Sequence, residues 1–266
     1  MSSIDTLFDR LRKSGRKAFM PFVTAGDPDL EFTAEVIRLL VDRGSTMCEL
    51  GIPYSDPIAD GPVIQASYTR SLGRKIKLAE ILETIGRLTP RLGAPLVTMV
   101  SYAIVYRHGL ERYVADAKAA GVAGAIVPDL PVEESGPLAE ICRREDFSLI
   151  QLITPTTPRD RAVRIAERTT GFIYYVSVTG ITGERDDLPQ EIVDNVGWLR
   201  EQTPLPICIG FGISRPKHVR MLAPVADGLI VGSAIVRRVS EAAAKGRETV
   251  LAEIGDYVAE LLAAMG

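Results

Sequence analysis

Three carboxylates, Glu49, Asp56 and Asp60, crowd the segment ELGIPYSDPIADGP between positions 49 and 62. An apolar run ends at Glu49. That carboxyl therefore stands at the tip of a buried strand, where desolvation raises its affinity for a proton. Asp60 follows on a loop whose three prolines and two glycines forbid a helix or a long strand. The more polar setting expected there leaves Asp60 ionised. Two carboxyl groups in unlike environments, one protonated and one charged, are what acid–base chemistry requires. Taken singly they say less, because a strand-end Glu is commonly salt-bridged and an Asp before Gly-Pro is a common turn residue.

The elements that must hold these groups alternate along the chain. Helical spacing of Ile4, Leu7, Phe8 and Leu11 predicts an opening helix over 4–11. Strands are predicted at 18–23, 46–50, 95–100, 123–127, 148–153, 172–176, 206–209 and 228–231, each a short apolar run closed by Gly, Pro or polar residues. Helices are expected between them at 30–42 (stopped by Gly44), 63–71, 78–88, 110–120, 133–145, 159–168, up to 199, and 214–222 with Ser214 as its cap. Eight strand–helix units in 266 residues imply a parallel sheet closed into a (β/α)8 TIM barrel with an extra N-terminal helix, one domain spanning 1–266. An open doubly wound sheet would want a Gly-rich fingerprint after the first strand, and Thr24-Ala25-Gly26-Asp27-Pro28 is not one.

Composition narrows the function classes. A net charge of −3 and a pI near 5.6 offer no general attraction to nucleic acid or an anionic membrane. Cys48, Cys142 and Cys208 are widely spaced with no CxxC, and His108 and His218 stand far apart in sequence, so no metal site is expected. Neither a signal-peptide pattern nor a membrane-length apolar run is present, which predicts a cytoplasmic protein with reduced, buried thiols.

In such a barrel the loops after the strands build the site. Phe22, Tyr102, Asp129 and Tyr174 fall at strand ends beside Glu49 and Asp60, although Asp129 between two prolines also fits a structural turn. Gly212, Gly232 and Ser233 end the last two strands, where backbone amides and a helix N-terminus suit a phosphate. Gly183 can complete that cradle. The loop 178–189, with Gly180, Gly183 and a charged tip at 184–187, suggests a lid.

Together, Pro21–Pro28, the 49–65 stretch, Pro128-Asp129-Leu130-Pro131, 177–183, 210–214 and Gly232-Ser233 resemble the tryptophan synthase alpha subunit, over essentially the whole chain and without insertion. The resemblance implies a lyase that splits indole-3-glycerol phosphate into indole and glyceraldehyde 3-phosphate. It implies a beta-subunit partner in an alpha2-beta2 heterotetramer, with pyridoxal phosphate only in that partner and no cofactor in this chain. It further implies Glu49 and Asp60 as the catalytic pair, Phe22, Val100, Leu152 and Tyr174 as the indole pocket, and Gly183, Gly212, Gly232 and Ser233 around the phosphate. Thr182 becomes the lid residue that meets Asp60, and Pro53, Tyr54, Asp56, Pro57 and Ile104 face the partner. Ile104 departs from the pattern, since the family usually carries an asparagine after Tyr102-Ala103. Three alternatives stay open, of which two are a freestanding indole-glycerol-phosphate lyase and a nearly silent subunit that activates the beta chain. An unrelated sugar-phosphate barrel is a third.

Overall fold

A computed structural model describes residues 2–57, 60–177 and 191–266. Nine parallel strands run in chain order: β1 (Ala18–Thr24), β2 (Cys48–Gly51), β3 (Leu96–Met99), β4 (Val122–Ile126), β5 (Ser148–Ile150), β6 (Leu152–Ile153), β7 (Ile173–Val176), β8 (Ile207–Gly210) and β9 (Gly228–Val231). They are hydrogen-bonded in the order β5-β4-β3-β2-β1-β9-β8-β7-β6. The strand expected at 148–153 is thus two short ones meeting at Gln151. Its first half pairs with β4 and its second with β7, and the Tyr174 amide donates to the Gln151 carbonyl at 3.1 Å. Both free edges of the sheet belong to this one segment, so the ring closes there. Eight strand segments around a closed ring make the TIM barrel that the alternating pattern predicts.

Alternation along each strand divides the core in two. Met20, Phe22, Val97, Met99, Ile126, Tyr174 and Ile230 fill the barrel interior. Phe19, Val23, Leu50, Val100, Ile209 and Leu229 face the surrounding helices. The helix Ser3–Lys13 begins with a capping box in which Ser2 and Asp5 satisfy each other's amides. It buries Ile4, Leu7, Phe8 and Leu11 in the interior cluster, with Phe8 against Phe172 at 5.8 Å between ring centroids.

The helix Pro62–Gly73 matters most for function, because Asp60 lies just before its first turn. Pro62 at the first helical position starts it without wasting an amide. Three polar contacts dock it on the end of β1 and the segment that follows. Thr24 and Ser67 share a hydroxyl hydrogen bond of 2.6 Å, Ser71 donates to the Ala25 carbonyl at 2.7 Å, and Arg70 donates two bonds to Asp27 at 2.9 and 2.7 Å. Asp27 is buried, and a two-pronged guanidinium contact offsets the cost of burying its charge.

Some local expectations need correction. A helix over Tyr102–His108 was not expected from sequence, and the one predicted over 133–145 is shorter, Gly136–Arg144. Ser214 does not cap the following helix. Arg215 holds the cap position of Pro216–Leu222, and the Ser214 hydroxyl is buried without a partner. Among the described residues no helix is long and apolar enough to cross a membrane. Nor does any group of three or more His, Cys, Asp or Glu among them sit where it could hold a metal ion.

Candidate active site

Glu49 sits in the interior layer formed by Phe22 on β1 and Val97 on β3, its partners across the sheet. It is 2% exposed, and neither carboxyl oxygen has a hydrogen-bond partner. Burial, reinforced by the charge of Asp60, pushes its pKa from 4.5 up to about 8. Glu49 therefore keeps its proton through neutrality, as the strand-end position predicts.

Asp60 departs from its expected polar setting, being 5% exposed. Burial pushes its pKa up to about 6. It still ionises below neutrality, and the adjacent N-terminus of the helix Pro62–Gly73 favours an anion there. Its backbone amide donates to the Pro57 carbonyl at 3.1 Å, and the Gln65 side chain donates to its carbonyl at 2.7 Å, fixing the loop end. The two carboxyl groups thus titrate on opposite sides of neutrality although both are buried.

One cavity at the barrel mouth is lined by Phe22, Glu49, Asp60 and Tyr174 together with Gly212, Gly232 and Ser233. Both carboxyl groups, two of the aromatic residues and three of the phosphate-loop residues picked out from sequence thereby share a single space. Gly212 adopts φ +77°, which a side chain would strain, and Gly232 occupies the N-cap of the helix Ser233–Ser240. That arrangement turns a helix N-terminus toward the cavity, and among the described residues no basic side chain lines it. Tyr174 has room because Gly210 has no side chain: a methyl there would come within 2.4 Å of its hydroxyl.

Two expected wall residues fall elsewhere. Val100 faces the helix layer, one position out of phase with the interior. Met99 takes its place, in register with Gly51 of β2. Leu152 lines a neighbouring cleft with Val127, Asp129 and Val176, and Phe211 stands between that cleft and the site. Asp129 works structurally. It accepts 2.7 Å bonds from the Ser101 hydroxyl and the Tyr102 amide, anchoring the start of the helix Tyr102–His108.

Thr182, Gly183 and the rest of the expected lid lie outside the described residues. Of the residues expected to face a partner, Asp56 is exposed and Tyr54 and Pro57 are half-buried. Pro53 is buried within the chain's own fold, and Ile104 is half-buried against the outer core.

Sequence reasoning missed Ile64, Met99, Phe211, Ile213 and Ile230 as lining residues. Phe211 carried a signal, since it stands between two glycines. It adopts φ +70°, a left-handed conformation unusual for a large residue, and turns its ring edge-on to Tyr174 at 5.6 Å.

Comparison with known proteins points one way. Residues 8–265 match the family model described as tryptophan synthase alpha chain. The chain is 58% identical to the tryptophan synthase alpha chain of Rhodopirellula baltica, an alignment covering 97% of this chain and 96% of that protein. Its structure is similar to tryptophan synthase subunit alpha from Legionella pneumophila, with a TM-score of 0.91, 30% identity, and 100% and 98% of the two chains covered. A chain of the tryptophan synthase complex from Pyrococcus furiosus is similar at a TM-score of 0.84 and 37% identity, over 92% of this chain and 98% of that one.

Proposed function

The chain belongs to the tryptophan synthase alpha chain family, and we propose that Glu49 and Asp60 divide the chemistry of that family's reaction between them. The reaction is the lyase cleavage of indole-3-glycerol phosphate to indole and glyceraldehyde 3-phosphate. Breaking the bond from C3 of the indole ring to the side chain requires that C3 first gain a proton. The proton on Glu49 goes there, and the ring then carries positive charge delocalised onto its nitrogen. Ionised Asp60 accepts a hydrogen bond from the ring N–H and stabilises that charge. The Glu49 carboxylate left behind takes the proton of the neighbouring side-chain hydroxyl. As that O–H electron pair becomes the aldehyde C=O, the C–C bond breaks, its electrons restore the aromatic ring, and neutral indole leaves.

Phe22, Met99 and Tyr174 suit the indole ring, and Gly212, Gly232 and Ser233 suit the phosphate. The observation that carries the reading is that one cavity is lined by both carboxyl groups and by the glycine-rich ends of β8 and β9. Thr182 and Gly183 keep their assigned roles as lid and phosphate residues. In this reading the whole chain acts as one cytoplasmic domain without a cofactor of its own. It works with a pyridoxal-phosphate beta subunit in an alpha2-beta2 assembly, and the exposed Asp56 loop faces that partner. A tryptophan synthase complex among the solved relatives supports the partnership.

Indole release by the purified chain, measured with and without a beta subunit, tests this. Slow release that rises strongly on adding beta supports the partnered enzyme. Fast release indifferent to beta indicates a freestanding lyase, and absence of release under both conditions refutes the reading.

A further inference from the structure

Three polar atoms are buried without a hydrogen-bond partner at the mouth of the barrel: both carboxyl oxygens of Glu49 and the hydroxyl oxygen of Tyr68. Tyr68 is 1% exposed and stands on the helix Pro62–Gly73, one turn beyond the cavity residue Ile64. Its ring rests against Tyr54 at 5.5 Å between centroids. Its hydroxyl fills the space that Gly51 leaves empty, for a methyl at position 51 would come within 2.7 Å of the Tyr68 oxygen and 2.4 Å of the Phe22 ring. Gly51 is in register with Thr24 and Met99, the layer directly above Phe22, Glu49 and Val97. One layer is about 7 Å of strand, so the Tyr68 oxygen beside position 51 lies in the layer next to the Glu49 side chain, on the same face of β2.

A buried hydroxyl without a partner destabilises a chain, and phenylalanine would fill the same space without that cost. Such an atom calls for an explanation, and functional sites are where one is usually found. The surroundings supply it. The ionisable groups facing Glu49 and Tyr68 are Asp60 and Tyr54 from the loop after β2 and Tyr174 from β7. Among the described residues none of these is a cation, so of these ionisable groups it is the tyrosine hydroxyls that can donate to the two carboxylates. Tyr174 belongs to the cavity wall; Tyr68 stands behind it.

We propose that Tyr68 is a positioning residue for Glu49. Its hydroxyl donates a hydrogen bond toward the Glu49 carboxylate, directly or through an ordered water, and holds that group in place after it has delivered its proton. The proposal rests on the assignment of Glu49 made above.

The test is Tyr68→Phe, studied beside the wild type and Glu49→Gln with the beta subunit present. We expect kcat to fall at least tenfold with KM within threefold, and the melting temperature of the free chain to rise. Loss of the donor also shifts the protonation midpoint of Glu49 upward, which a titration of 13C-labelled glutamate carboxyl groups reads without any turnover. Wild-type kcat with an unmoved midpoint overturns the proposal, as does a lowered melting temperature with unchanged kcat. The two readings separate cleanly. Wild-type cleavage that Glu49→Gln abolishes and Tyr68→Phe leaves intact refutes Tyr68 alone. A shifted midpoint in a chain that never cleaves the substrate refutes the reaction and keeps the Tyr68–Glu49 link.

Discussion

Glu49 makes the folded chain less stable as pH rises, and Glu49→Gln should remove that dependence. The carboxyl ionises near 4.5 in an unfolded chain and near 8 in the folded one. Between these values the folded state holds a proton that the unfolded state has released, so stability falls with rising pH. The contribution is intact below about pH 4.5, falls by about 1.4 kcal/mol per pH unit, and is fully lost above about pH 8. Across that window the loss is on the order of 4–5 kcal/mol, large against the usual 5–15 kcal/mol total. Gln fills the same space uncharged at every pH. Urea unfolding of both proteins from pH 5 to pH 9, followed by circular dichroism, should show the variant gaining on the wild type by several kcal/mol across the series. A stability difference that stays constant with pH would refute a buried, desolvated Glu49.

Three further outcomes follow from the same geometry. The pH profile of kcat should be a bell, rising through about pH 6 as Asp60 ionises and falling through about pH 8 as Glu49 loses its proton; a profile flat from 5 to 9 counts against the pair. Gly232→Ala should fold normally, because the nearest atoms the added methyl meets belong to Phe22, at an ordinary contact distance of 3.5 Å. It should nevertheless raise KM about tenfold while leaving turnover of a phosphate-free analogue unchanged, and equal effects on both substrates would place the phosphate elsewhere. Arg70→Met leaves the Asp27 carboxylate buried without its guanidinium partner; allowing for the half-exposed arginine, a loss of about 1–3 kcal/mol is expected in urea unfolding, and no loss would mean that the ion pair does not anchor the helix.

Much of the site was legible because its signals are local. Glu49 ends an apolar run, and Gly212 and Gly232 punctuate the last two strands. These facts need no knowledge of distant contacts. Asp60 shows where that reasoning stops. Its prolines and glycines announce a loop, yet its burial comes from the helix Pro62–Gly73 docking on β1 through Ser67, Arg70 and Ser71, contacts that join residues more than forty positions apart.

Val100 and Met99 illustrate a second limit. Strands buried on both faces read as continuous apolar runs, so the residues at 95–100 carry no mark of which parity faces inward, and a slip of one position exchanges the two core layers. The register with Gly51 settles it for Met99. The break at Gln151 was hidden for the same reason, since one apolar segment serves two neighbours in turn. Tyr68 was invisible as a site residue because a buried tyrosine is ordinarily core. Its unpartnered hydroxyl over Gly51 is a fact of tertiary structure alone.

The role proposed for Glu49 is to carry the protons of the cleavage. Single-turnover indole release from indole-3-glycerol phosphate by Glu49→Gln, with the beta subunit present and substrate binding measured in parallel, tests it most directly. Binding should be retained while release falls about a thousandfold or more, on the order of what a positioned acid–base group contributes. Near-normal release from the variant would contradict it.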